Sequence, residues 1–195
     1  VITQSPATNA LVGLGTNAIV LTVTDAAGNF ATCTALLIVR DQTAPTIVQC
    51  PTNRVLAADT ACQARVPDLR PEMRAGDNCT ATNQLTLTQN PVAGTLVGLG
   101  TNAIVLTVTD QAGNATTCTS FLIVRDQTAP TIVQCPTNRV LAADTACQAQ
   151  VPDLRAEMRA GDNCTATNQL VITQSPATNA LVGLGTNAIV LTVTD

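Results

Sequence analysis

Leu96 to Asp110 reads LVGLGTNAIVLTVTD, and the same string stands at Leu11 to Asp25 and at Leu181 to Asp195. Within it, Ile104, Leu106 and Val108 alternate with Val105, Thr107 and Thr109. Strict alternation of this kind describes a strand with one face buried and one face wet. The three copies of the string are evenly spaced, and RDQTAPTIVQCPTNRVLAADTACQA likewise begins at Arg40 and again, at the same interval, at Arg125. A fixed period of this size marks a tandem array of small folded units, each meeting mainly its neighbours.

The phase of the repeat divides the chain into 1–40, the C-terminal part of a unit; 41–125, a complete unit; and 126–195, a unit lacking its last strand. Segments 41–110 and 126–195 differ at 9 of 70 aligned positions, among them Arg65 against Gln150 and Pro71 against Ala156. Residues 171–195 nevertheless repeat 1–25 letter for letter, so the full period is two units. An excerpt from an alternating array accounts for this phase. A second reading has strand 26–40 of a neighbouring copy finishing the last unit.

Each unit is small enough to need covalent or metal reinforcement. Its core must be aliphatic, because Phe30 and Phe121 are the only aromatics; His, Lys, Trp and Tyr are absent. No apolar run approaches the ~20 residues of a membrane span. The net charge of −4 offers no basic face for nucleic acid. A nucleophile–base pair is also hard to assemble without histidine, and the reading is that the chain is not an enzyme. Gly98-Leu99-Gly100 resembles a phosphate loop only superficially and reads as a turn between strands.

Cysteines recur at constant phase, four per unit: Cys50, Cys62, Cys79 and Cys118 in the complete one. An even number in small β-rich units reads as disulfides formed in an oxidising, extracellular or cell-surface setting. Zinc would call for close CxxC pairs or histidine, and neither is present. Four cysteines allow three connectivities, which the spacing leaves open.

Further strands are expected at Thr46–Val48, Arg54–Ala57, Gln63–Val66, Gln84–Thr88 and Thr117–Val124, with Pro, Gly, Asn and Asp clusters between them. One helical turn is possible in Pro67–Met73. The fold class is therefore all-β: tandem immunoglobulin-like β-sandwiches with a repeat of about 85 residues, stabilised by disulfides.

The succession DQTAP, CP, a lone Cys before a strand, DNC, TVTD-x-AGN and TCT resembles the hyalin repeat family throughout 41–125 and in pieces elsewhere. The resemblance implies an extracellular immunoglobulin-like module, common in adhesive and surface proteins. The chain departs from it in lacking aromatics on its late strands. Family members with two cysteines keep those matching Cys50 and Cys118. The resemblance thus implies Cys50–Cys118 and Cys62–Cys79, with Cys147 joined to Cys164, and with Cys33 and Cys135 bonded outside the chain.

In such a sandwich the B–C loop, the F–G loop and the incoming linker share one end. They carry Asp77-Asn78, Asp110 and Asp41 in the complete unit, and Asp162-Asn163, Asp195 and Asp126 in the next; the first unit supplies Asp25. Converging carboxylates repel unless a cation sits among them, and an all-oxygen donor set suits Ca²⁺. The plainer reading is that each Asp caps its own turn. Asn78, Asn114 and Asn163 also stand in N-x-Thr glycosylation triplets. Together these features suggest a structural segment of a long extracellular fibre or surface stalk, with Ca²⁺ stiffening its junctions. Its partners would be neighbouring repeats and identical chains alongside. The alternative is the stalk of a cell-surface adhesin whose binding domain lies elsewhere.

Overall fold

The alternation in the repeated string becomes an inside and an outside: Ile104, Leu106 and Val108 are 0% exposed, whereas Val105 between them is 37% exposed. A computed structural model describes residues 1–195. Its strands are β1 (Ile2–Ser5), β2 (Gly15–Thr24), β3 (Phe30–Val39), β4 (Thr46–Gln49), β5 (Arg54–Ala57) and β6 (Gln63–Arg65). Then follow β7 (Arg74–Gly76), β8 (Thr86–Asn90), β9 (Leu96–Gly98), β10 (Gly100–Thr109) and β11 (Ala115–Arg125). The last are β12 (Thr131–Gln134), β13 (Gln148–Gln150), β14 (Arg159–Gly161), β15 (Val171–Ser175), β16 (Leu181–Gly183) and β17 (Val190–Thr194). The fold is all-β and immunoglobulin-like, and its only helical pieces are short 3₁₀ turns.

One compact unit comprises 1–52, 68–91 and 104–120. Here β1, β2 and β3 form an antiparallel meander, β4 pairs with β7, and β8 pairs with β10 in the register Leu106 to Gln89. Its core gathers Leu69, Met73, Ile104, Leu106 and Val108. Gln89, only 7% exposed, accepts the Leu69 N–H at 2.8 Å and donates to the Pro91 carbonyl at 3.1 Å. That satisfies a backbone donor which burial would otherwise leave stranded.

The second unit comprises 53–67, 92–103 and 121–195. Strand β5 runs parallel to the end of β11, Leu122 beside Arg54, and β6 pairs with β9. Its core holds Val66, Leu122, Val124, Val151, Leu154 and Met158. Within it β12 pairs with β14, β13 with β16 and β15 with β17. Residues 139–142 repeat the sequence of β5, yet they form no strand, and Val140 is 100% exposed. The parallel partner that β11 gives to β5 is lacking at that place, so the backbone bonds that define the strand have nowhere to go.

The expected strands are all present within a residue or two, and the structure adds β7 and β9. The helical turn narrows to a 3₁₀ turn at Arg70–Glu72, set by Pro71 and by Asp68, whose Oδ1 accepts the Arg70 N–H at 3.1 Å. In β4 the register slips between Ile47 and Gln49, and the bulged Val48 is 76% exposed.

The disulfides agree with the sequence reading in one bond and overturn it in the other. Cys50 is joined to Cys118, with Cα atoms 6.2 Å apart. Cys62 is joined to Cys164, with Cα atoms 5.2 Å apart, and not to Cys79; Cys147 is correspondingly not joined to Cys164. The two halves of the expected Cys62–Cys79 bond belong to different compact units, whereas Cys62 and Cys164 belong to one. Cys33, Cys79, Cys135 and Cys147 are free and exposed.

Candidate metal centre

All seven singled-out aspartates stand just past strand ends, and at each but Asp195, the last residue, a short carboxylate can bond the next N–H groups. Asp41 follows β3, Asp77 follows β7 and Asp110 follows β10. One carboxylate oxygen from each lies within 4.8 Å of the others. Asp126, Asp162 and Asp195 form the same triad on the same terms.

Two of the three carboxylates, Asp41 and Asp77, are half engaged, whereas both oxygens of Asp110 are bonded. Asp41 Oδ1 accepts the Thr43 N–H at 3.0 Å, and Asp77 Oδ2 accepts those of Cys79 and Thr80 at 2.9 and 2.8 Å. Their second oxygens, Asp41 Oδ2 and Asp77 Oδ1, are buried without any hydrogen-bond partner. Asp110, 6% exposed, takes the backbone N–H and the side-chain amide of Asn114, both at 2.7 Å. That asparagine also donates to the Asp41 carbonyl at 3.3 Å. Gly113 makes this turn possible, with φ at +92°. Thr80 Oγ1, accepting the Gln111 N–H at 3.3 Å, ties the Asp77 loop to the Asp110 turn.

The second triad repeats the arrangement. Asp126 Oδ1 caps Thr128 at 3.0 Å, and Asp162 Oδ2 accepts from Cys164 and Thr165 at 2.8 and 2.9 Å. Asp126 Oδ2 and Asp162 Oδ1 are again buried and partnerless, as is Asn163 Oδ1. Asp195 is the exposed member.

Hydrogen bonding favours the ionised form of one aspartate in each triad, Asp110 and Asp162. Burial pushes Asp110 upward, but the side-chain and backbone bonds of Asn114 outweigh it and leave the pKa below the ordinary value. The N–H groups of Thr165 and then Cys164 lower that of Asp162. Burial, with the charges of Asp41 and Asp77, raises the Cys79 thiol. Buried anionic oxygens without donors are costly unless a cation pairs them. The donor set is hard oxygen throughout and fits Ca²⁺ in kind.

Asp25 is not drawn into a triad. It turns to its own loop, accepting from Asn29 and Ala27, and the Asn29 amide lowers its pKa. Asn78 places its amide 3.0 Å from Cys79 Sγ. Of the glycosylation triplets, Asn114 and Asn163 spend their amide nitrogens inside the fold, on Asp110 and on the Asp59 carbonyl at 3.2 Å, while Asn78 is exposed.

Residues 40–124 match the family model described as the HYR domain. This segment is an HYR domain. HYR domains are extracellular modules of adhesion type, and disulfide-bonded cysteines agree with that setting. No curated protein matches the sequence. Among solved structures, the chain is similar to protocadherin gamma B7 extracellular cadherin domains 1–4, at 16% identity and a TM-score of 0.35 over 93% of this chain and 49% of that one. It is also similar to Sidekick-1 immunoglobulin domains 1–4, at 16% identity and a TM-score of 0.36 over 91% and 56%. For the human desmocollin-1 ectodomain the values are 13%, 0.29, 92% and 41%. The chain thus spans about half the length of these structures, and nothing about its ligands follows from likenesses so distant. No helix is long and apolar enough to cross a membrane.

Proposed function

We propose that this chain is a structural segment of an extracellular tandem-repeat fibre or surface stalk, in which Ca²⁺ at the two acidic triads stiffens the array. The observation that carries the reading is the set of buried, partnerless carboxylate oxygens on Asp41, Asp77, Asp126 and Asp162. Each triad joins the start of a repeat to two loops of that repeat, so an ion there would fix the incoming chain against the module it enters. The units on this reading are 1–40, 41–125 and 126–195, and their work is mechanical rather than enzymatic. Partners would be further copies of the repeat, along the chain or beside it. An adhesin stalk would use the same chemistry, and a binding domain of different composition in the same polypeptide would favour it.

Thermal unfolding with Ca²⁺ and with chelator tests the proposal. An ion that binds only the folded state raises stability by RT ln(1 + [L]/Kd), about 2.7 kcal/mol when free Ca²⁺ is 100 times Kd. Asp77→Asn should remove much of the Ca²⁺ response. Asp68→Asn should leave it intact, because Asp68 faces Arg70 at 2.9 Å and not a triad. Equal melting of all three proteins with and without Ca²⁺ would leave the aspartates as turn caps.

A further inference from the structure

The Cys62–Cys164 bond crosses from one repeat to the next, and the period supplies its missing copies. Cys147 stands one period after Cys62, and Cys79 stands one period before Cys164. The turns agree whether bonded or free. Around Cys62, Asp59 Oδ1 accepts the N–H groups of Ala61 and Gln63 at 2.8 and 3.0 Å; around Cys147, Asp144 Oδ1 accepts those of Ala146 and Gln148 at 2.8 and 2.9 Å. Both cysteines are held left-handed, at φ +61° and +57°. Glycine or asparagine is the usual occupant of such a position, so a cysteine kept there points to a use for its sulfur. The receiving loops agree as well, Asp77 capping Cys79 as Asp162 caps Cys164. Cys33 and Cys135 are different: they are the one-period images of Cys118 and Cys50, whose bond stays within a repeat.

We infer that successive repeats are stapled by a disulfide from the place of Cys62 in one to the place of Cys164 in the next, and that this staple sets the Ca²⁺ affinity of the triad it adjoins. The inference deepens the calcium reading and, in its second half, rests on it. Cys164 lies two residues beyond Asp162, and the intervening Asn163 donates to the Asp59 carbonyl at 3.2 Å. The metal loop of one repeat is thus bonded twice, by sulfur and by amide, to the turn Asp59–Gln63 of the repeat before it. Closing the staple orders that loop before an ion arrives, which removes part of the ordering cost of binding. Cys147 and Cys79 are the open halves of the same staple, each suited to a further copy of the repeat. Closure breaks two S–H bonds and forms one S–S bond. The two electrons and two protons pass to a disulfide oxidant, which leaves as two thiols, by exchange through a mixed disulfide.

The test uses the 195-residue chain, oxidised with glutathione disulfide. After alkylation and tryptic digestion without reduction, the peptide Val55–Arg65 should be linked to Ala160–Asp195. Linkage of Val55–Arg65 to Ala75–Arg125, or of Val140–Arg155 to Ala160–Asp195, would overturn the staple. At high concentration, covalent oligomers should carry Val140–Arg155 joined to Ala75–Arg125; absence of that link overturns the repeat-to-repeat rule. Ca²⁺ titration then reads the coupling. In an Asp77→Asn background, which leaves the stapled triad, adding Cys62→Ser or Cys164→Ser should weaken Ca²⁺ binding about tenfold, within the usual span of coupling between sites. In an Asp162→Asn background, which leaves the unstapled triad, Cys62→Ser should change nothing. Unchanged affinity in both backgrounds overturns the coupling. Absence of Ca²⁺ binding in every protein overturns the calcium reading together with the coupling, while the peptide map still decides the staple.

Discussion

Leu106→Ala removes the side chain at the middle of the inward row of β10, where Ile104, Leu106 and Val108 are all 0% exposed. The change deletes the equivalent of three methylenes at about 0.8 kcal/mol each, or roughly 2.4 kcal/mol of lost burial. A cavity term adds to this, because the surrounding side chains relax only partly into the space left. The expected total is about 3–4 kcal/mol, inside the usual range for Leu→Ala. Val105→Ala is the control: Val105 lies on the opposite face, 37% exposed, and should cost under about 1 kcal/mol. Urea unfolding followed by far-UV circular dichroism suits a chain with no Trp or Tyr, and the midpoint should fall with the slope unchanged. Equal destabilisation by the two substitutions would refute the assignment of inner and outer faces on which the sandwich rests.

Gln89→Leu should cost about 1–3 kcal/mol in the same assay, because it strands the N–H of Leu69, itself 1% exposed. Gln174→Leu should behave alike, since Gln174 accepts the Leu154 N–H at 2.8 Å. The depressed pKa values of Asp110 and Asp162 fix the sign of an acid response: their contribution is complete above the unfolded value of ~3.9 and is lost as pH falls through the lower folded values. A chemical-denaturation series across that window should show a shallower acid loss for Asp110→Asn than for wild type. Asp153 is held at about 2 by the side-chain bond from Arg155, but its pairing is exposed and screened by salt.

The sequence made the strands and the triads legible for one reason: both depend on local pattern. Alternation in AIVLTVT names the buried face of β10 directly, and an Asp placed just past a strand end both caps a turn and marks a loop. The topology that gathers Asp41, Asp77 and Asp110 then follows from the sandwich. Asp25 shows the limit: it makes the same bonds to its own turn as Asp110 does, yet it joins no triad. Gln89 escaped notice because the strand was expected to end at Thr88, one residue short of the side chain that crosses to Leu69. The Cys62–Cys164 bond was illegible on other grounds. With identical loops one period apart, Cys79 and Cys164 are the same residue in the same setting, and only three-dimensional placement decides which one Cys62 meets. The exposed Val140 records the same dependence on non-local partners, since an identical sequence is a strand at Val55 and none at 140.

Calcium binding at the two acidic triads is what the proposed stiffening of the array requires. Isothermal titration of Ca²⁺ into the oxidised, chelator-stripped chain measures this in one experiment. Two sites per chain are expected, with one lost in Asp77→Asn and the other in Asp162→Asn. Heats no larger than dilution, or binding that survives both substitutions together, would contradict it.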